Sequence, residues 1–78
     1  MPITARIDVM LSTLNATDVG TIDSIVAKLD QVREELQGLE QAELAERTSD
    51  ATDALKRGDV AEFKRLRAFL QSKIGHLR

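Results

Sequence analysis

Between residues 21 and 39, apolar positions recur at alternating steps of three and four residues. This spacing places them in a narrow stripe along one side of a helix. We call this stripe the seam, and it consists of Ile22, Ile25, Leu29, Val32, Leu36 and Leu39. Because another helix is the natural cover for so narrow a stripe, the seam predicts an all-α protein built as a small helical bundle.

Beyond Leu39 the same spacing brings acidic residues instead of apolar ones. This acidic stripe consists of Glu43, Glu46, Asp50 and Asp53. The apolar residues of the segment, Leu44, Ala51 and Leu55, lie on a face rotated by about 100° from the seam, at about 3.6 residues per turn. We therefore predict one long helix over residues 21–57 whose two halves face different neighbours. The polar cluster at 48–50 leaves open whether this helix is broken there.

Two further amphipathic segments flank the long helix. Residues 3–14 place five apolar side chains on one helical face: Ile3, Ile7, Met10, Leu11 and Leu14. Gly58 is suited to end the long helix, and Asp59 with Glu62 three residues later resembles a capping box that starts the last one. So short a connection predicts an antiparallel helical hairpin. We thus expect a single helical domain of residues 1–78 with three helices, at about 3–14, 21–57 and 59–75.

The length of the chain bears on its assembly. A chain of 78 residues buries a small share of its surface. Cysteine is absent and histidine occurs once, so neither a disulfide nor a zinc site is expected to stabilise the fold. The first helix is also too short to cover the whole seam. We therefore expect a homodimer or higher oligomer, without a cofactor.

Charge is distributed unevenly. Residues 1–55 hold four basic and eleven acidic side chains, a net charge of −7, whereas residues 56–78 hold seven basic and two acidic ones, a net charge of +5. Such halves attract each other or another molecule. We expect the two cations that flank the apolar stripe of the last helix, Arg67 and Lys73, to reach the carboxylates of an antiparallel neighbour in the same or another copy. The nearest candidates are Glu43, Glu46 and Asp50.

Motifs for catalysis are missing from the sequence. It contains no Gly-x-Ser-x-Gly elbow, no Gly-x-Gly-x-x-Gly and no Walker-type loop. His76 has no acidic neighbour in sequence to orient it, so an exposed terminal histidine is expected. The acidic stripe supplies too few converging oxygens from one helix to predict a metal site. An enzyme is therefore not expected.

The function that this pattern favours is a protein–protein interaction module, a self-associating adaptor or regulatory subunit. Its partner would be another copy of itself or another helical protein. Phe69 lies about 100° from the centre of the last helix's apolar stripe, where it either packs at the edge of that stripe or anchors a partner. The candidate contact residues are Phe69, Glu43, Glu46, Asp50, Lys64, Arg65 and Arg67.

The alternative is a nucleic-acid-binding protein that uses its basic C-terminal helix. The cations available for phosphate contacts are Lys56, Arg57, Lys64, Arg65, Arg67, Lys73 and Arg78. They are scattered around the helix, and stacking aromatics are limited to Phe63 and Phe69. We therefore expect no nucleic-acid partner. No signal peptide or membrane span is predicted, because the first eight residues include Arg6 and Asp8, and we expect a cytoplasmic protein.

Overall fold

Within residues 3–18 and 20–77, which the computed structural model describes, the chain forms four α-helices. Helix α1 covers Ile3–Asn15, α2 covers Ile22–Gly38, α3 covers Ala42–Lys56 and α4 covers Val60–Gly75. A 3₁₀ turn, Ala16–Asp18, follows α1. Helix α2 packs on α1 and α3, and α4 packs on α3 and α1, so each helix has two neighbours. The all-α class predicted from the sequence is confirmed, but the number of helices differs from the prediction.

The single long helix predicted over residues 21–57 is wrong, because the chain turns back between Gly38 and Ala42. Glu40 adopts a left-handed backbone conformation, with φ of 61°. The N–H of Gln41 then donates to the carbonyl of Leu36 at 2.9 Å, and the N–H of Glu40 donates to that of Gln37 at 3.1 Å. These are the two hydrogen bonds of a Schellman motif, which ends a helix firmly.

Helix α3 is continuous through residues 48–50, where the sequence left a break open. The hydroxyl of Thr48 donates to the carbonyl of Leu44 at 2.9 Å, and that of Thr52 donates to the carbonyl of Thr48 at 3.3 Å. Bonds of this kind, four residues back, satisfy buried hydroxyls without interrupting the helix. The polar cluster therefore sits inside a helix instead of ending one.

The other helix ends follow local sequence signals. Thr21 caps α2, since its hydroxyl accepts from the N–H of Ser24 at 3.2 Å. Asp59 caps α4 by accepting from the N–H of Glu62 at 3.1 Å. Gly58, with φ of 79°, supplies the left-handed residue that ends α3, so α3 and α4 form the antiparallel hairpin.

The seam lies mostly in the core of the chain. Ile25, Leu29, Val32 and Leu36 are buried, Leu39 is partly buried, and Ile22, in the first turn of α2, is 54% exposed. The inner face of α3 consists largely of small residues, which lets α2 and α4 approach it from either side. Its buried residues are Leu44, Ala45, Thr48, Ala51, Thr52, Ala54 and Leu55. Helices of the same chain thus cover the seam, and self-association, which stays a prediction, would have to use another surface.

Polar contacts fix the position of α1 against its neighbours. Arg6 Nε donates to Glu35 Oε2 of α2 at 2.8 Å, and Lys28 Nζ donates to the Ala16 carbonyl at 3.1 Å. On the other side, Gln71 Nε2 of α4 donates to Asn15 Oδ1 at 2.7 Å. None of the described helices has the combined length and apolar character that a bilayer crossing requires.

Candidate interaction site

A groove runs along the outside of the hairpin, between α3 and α4. Two adjoining clefts of about 390 Å³ and 350 Å³ share Glu43 and Phe69 as walls, and a third cleft of about 200 Å³ continues toward the hairpin turn. We call this continuous surface the α3–α4 groove. The turn at Gly58 creates it, because this turn folds α4 back along α3.

Phe69 lies at the centre of the groove. Its ring is partly buried and packs against the core, while its remaining surface faces the clefts. The ammonium of Lys73, one turn further along α4, lies 5.7 Å from the ring centroid, within the range of a cation–π contact. The two roles that the sequence allows for Phe69 are therefore compatible, since edge packing leaves part of the ring accessible.

The apolar floor of the groove is narrow and its walls are charged. Leu66 lies beside Phe69, and Leu44 and Leu77 extend the apolar surface toward the far end of the hairpin. Arg47 and Arg65 face the middle of the groove from opposite helices. His76 is exposed, as the sequence predicts for it, and lines the far end with Lys73.

Ion pairs order the side chains at the hairpin end of the groove. Arg65 Nε donates to Glu62 Oε2 at 3.0 Å, and Arg47 Nη1 donates to Asp50 Oδ2 at 3.3 Å. The hydrogen bond from Arg65 lowers the pKa of Glu62, and the nearby charge of Arg57 lowers it further. Glu62 in turn raises the pKa of Arg65. Glu62 and Asp50 therefore each hold one arginine side chain, Arg65 and Arg47 respectively, at the edge of the groove.

The contact residues proposed from the sequence fall in several places. Glu43, Asp50 and Arg65 line the groove with Phe69, whereas Glu46 is exposed on α3 and lines a cleft on its α2 side. Lys64 is exposed on α4 and lines none of the three clefts. Arg67 Nη1 donates to Thr17 Oγ1 at 3.5 Å, and its guanidinium lies 5.8 Å from the Phe63 ring centroid, so this side chain is directed away from α3.

That the flanking cations of the last helix, Arg67 and Lys73, reach the carboxylates of α3 stays a prediction. Lys73 lines a cleft with Glu43 and lies over the Phe69 ring. Arg65 pairs with Glu62 of its own helix, one turn away, because an i, i+3 partner needs no rearrangement of the hairpin. Arg78, one of the basic residues named from the sequence, lies outside the described residues. Glu43 has no ion-pair partner among residues 3–18 and 20–77, so its carboxylate is available to another molecule.

The sequence did not single out Arg47, Leu66 or Leu77 as groove residues. Their role depends on the register between α3 and α4. The hairpin predicted at Gly58 implies this register, but it does not say which side chains line a groove between the two helices. Elsewhere, among the side chains that the structure describes, the large apolar ones exposed by half or more are Val9, Ile22 and Val60, which lie on three different helices. Isolated exposures of this kind are ordinary.

In the described part of the chain, no three acidic or histidine side chains come together in a way that could hold a metal ion. Comparison with family models, with curated proteins and with solved structures gives no match to this chain.

Proposed function

We propose that this chain is a helical protein–protein interaction module, an adaptor or regulatory subunit, whose contact surface is the α3–α4 groove. The observation that carries the proposal is Phe69, an aromatic ring left partly exposed between two helices and flanked by charged side chains. A cytoplasmic location, as expected from the sequence, is part of the proposal.

The composition of the groove supports this function. Interface centres are enriched in aromatic residues and arginine, and their rims are polar. Phe69 and Leu66 supply the apolar centre here, while Arg47 and Arg65 stand beside it. A groove between two helices suits an amphipathic helix, which lays apolar side chains along the floor and polar ones along the walls. The partner is therefore expected to be helical.

A photo-crosslinking phenylalanine analogue at position 69 tests the proposal in cells of the native host. The matched control carries the analogue at Gln31, an exposed position on α2, away from the groove. Illumination is expected to give discrete protein adducts from position 69 and not from position 31. Equal adducts from both positions, or none from position 69, would overturn the proposal.

The second candidate function, nucleic-acid binding, rests on the net positive charge of α4. That helix carries Lys64, Arg65, Arg67 and Lys73 against the single carboxylate of Glu62. A fluorescence-anisotropy titration with duplex and single-stranded oligonucleotides at about 50 mM salt would detect phosphate contacts. Micromolar binding that is lost on neutralising Lys64 and Arg65 would place this candidate first.

A further inference from the structure

Helices α3 and α4 lie side by side on one face of the molecule and carry opposite net charges. On α3, four carboxylates outnumber two cations, Arg47 and Lys56. On α4, four cations outnumber one carboxylate, Glu62. A surface that is acidic along one helix and basic along the adjacent helix is complementary to itself, because one two-fold rotation sets each half on the opposite half of a second copy.

We propose that the occupant of the α3–α4 groove is a second copy of this chain, docked with its α4 on α3 and its α3 on α4. The inference rests on the proposed function and names its partner. The two-fold axis runs parallel to the helices, so that each α3 lies antiparallel to the α4 of the other copy. The interface is isologous and closes on itself, which gives a dimer instead of a filament.

The register of the hairpin makes this pairing specific. Glu43 and Lys73 line one cleft and each lies fifteen residues from Gly58 at the turn, so they lie at the same level along the groove. The rotation therefore brings Glu43 of one copy to Lys73 of the other. Arg47 and Phe69 share the next level, where the rotation sets guanidinium against ring. Asp50 and Arg65 share the level nearest the turn. Each of the three levels thus pairs complementary groups.

The opposite isologous arrangement, α3 on α3, is disfavoured by the same charges. It would set the acidic stripe on its own copy, with Glu43 of one chain facing the Asp50 and Asp53 end of the other. Like charges held close oppose association. The crossed arrangement avoids this repulsion, and it also buries the accessible part of both Phe69 rings.

The area of the α3–α4 face determines how strong a dimer we expect. At a rise of 1.5 Å per residue and a diameter of about 10 Å per helix, the hairpin offers a face of roughly 450 Å² on each copy. This falls short of the roughly 800 Å² per partner of a standard stable complex, so we expect a dissociation constant of micromolar order. Exposed ion pairs are screened by salt, so the dimer should weaken as ionic strength rises.

Reciprocal charge reversal tests the inference on the full chain. Glu43→Lys alone sets two lysines against each other at both contacts, and Lys73→Glu alone sets two glutamates against each other. We expect each variant to raise the dimer dissociation constant about tenfold or more in sedimentation velocity at low salt. In an equimolar mixture, the heterodimer sets the lysine introduced in Glu43→Lys against the glutamate introduced in Lys73→Glu at one contact and keeps the native Glu43–Lys73 pair at the other. The mixture should therefore dimerise about as well as the wild type.

Matched controls carry the same charge changes off the groove, in Glu34→Lys on α2 and Lys64→Glu on α4, both at exposed positions. They should dimerise like the wild type, and far-ultraviolet circular dichroism should show all variants folded. A wild type that stays monomeric at about 500 µM, or a mixture no better associated than its components, would overturn the inference. Crosslinks from position 69 to a different protein, together with a monomeric wild type, would overturn the inference while keeping the proposed function.

Discussion

Glu40 and Gly58 occupy the same position at two helix ends. Each is the residue with positive φ, 61° for Glu40 and 79° for Gly58, and each is followed by a residue whose N–H donates to the helix at 2.9 Å. Gly58 takes this conformation without steric cost, whereas Glu40 has a Cβ that opposes it. The turn that separates α2 from α3 therefore stores backbone strain, and the turn that separates α3 from α4 does not.

Glu40→Gly should stabilise the fold. The left-handed conformation costs a residue with a Cβ about 1–2 kcal/mol, and glycine removes this cost. About half of the benefit is lost again, because glycine has more conformational freedom to lose when the chain folds. We expect the free energy of unfolding in urea to rise by about 0.5–1 kcal/mol. Gly58→Ala is the converse change, and it should lower stability by about 1 kcal/mol, although nothing lies within 4 Å of the added Cβ. A loss of stability in Glu40→Gly would show that the glutamate side chain contributes more than its backbone costs.

Thr48→Val should leave the fold as stable as before or more so. Thr48 is fully buried, and its hydroxyl bonds only a carbonyl of the same helix, that of Leu44. Replacing the hydroxyl by a methyl of similar shape removes a buried polar group, which we expect to change stability by about 0 to +1 kcal/mol. Thr48→Ala removes volume instead and should cost about 1 kcal/mol. If valine proved worse than alanine in urea denaturation, the hydroxyl would have a role beyond its own helix.

The loss of stability caused by substitutions along the seam should depend on how deeply each residue is buried in the bundle. Leu36→Ala removes a fully buried side chain and should cost about 2–5 kcal/mol. Ile22→Ala changes a residue that is 54% exposed and should cost less than about 1 kcal/mol. Thermal unfolding of both variants at the same protein concentration gives the comparison. Equal losses of stability would contradict the finding that helices of the same chain bury the middle of the seam but not its first residue.

The Glu62 carboxyl should titrate below its ordinary pKa of 4.5 because of its hydrogen bond to Arg65. A folded-state pKa below the unfolded one means that this group stabilises the fold above the unfolded pKa, and that the contribution disappears as pH falls through the folded pKa. In a carbon-detected NMR titration, Arg65→Gln should raise the pKa of Glu62, and Arg57→Gln should raise it less. An unchanged pKa in Arg65→Gln would mean that the pair does not persist in solution.

The sequence predicted the helix ends that rest on local side-chain chemistry. Asp59 caps α4 because its side-chain oxygen reaches the backbone N–H of Glu62, three residues on, and Gly58 ends α3 because it lacks a Cβ. The end of α2 has no such signal. Its glycine, Gly38, lies two residues before Glu40, which takes the positive φ, so the residue type at that position does not mark the helix end.

The candidate site was predictable only in part. Phe69 and Glu43 stood out by type and position, and the hairpin predicted at Gly58 implies that they lie near each other, but it does not predict the clefts that open between the two helices. The seam was expected to need a second chain as cover, whereas helices of the same chain cover it. A 3–4 spacing is typical both of a stripe that pairs with another chain and of one that packs within its own bundle, and spacing alone does not separate these two cases.

That two copies meet at the α3–α4 groove is tested most directly by diluting the isotope-labelled protein from about 500 µM to 10 µM and following its backbone amide NMR signals. If the groove is the contact surface, the signals that move with concentration belong to α3 and α4 and centre on Arg47 and Phe69, while those of Asp23, Ala27 and Gln31 on the outer face of α2 stay in place. Signals that do not move, or that move on α1 and α2 instead, would contradict it.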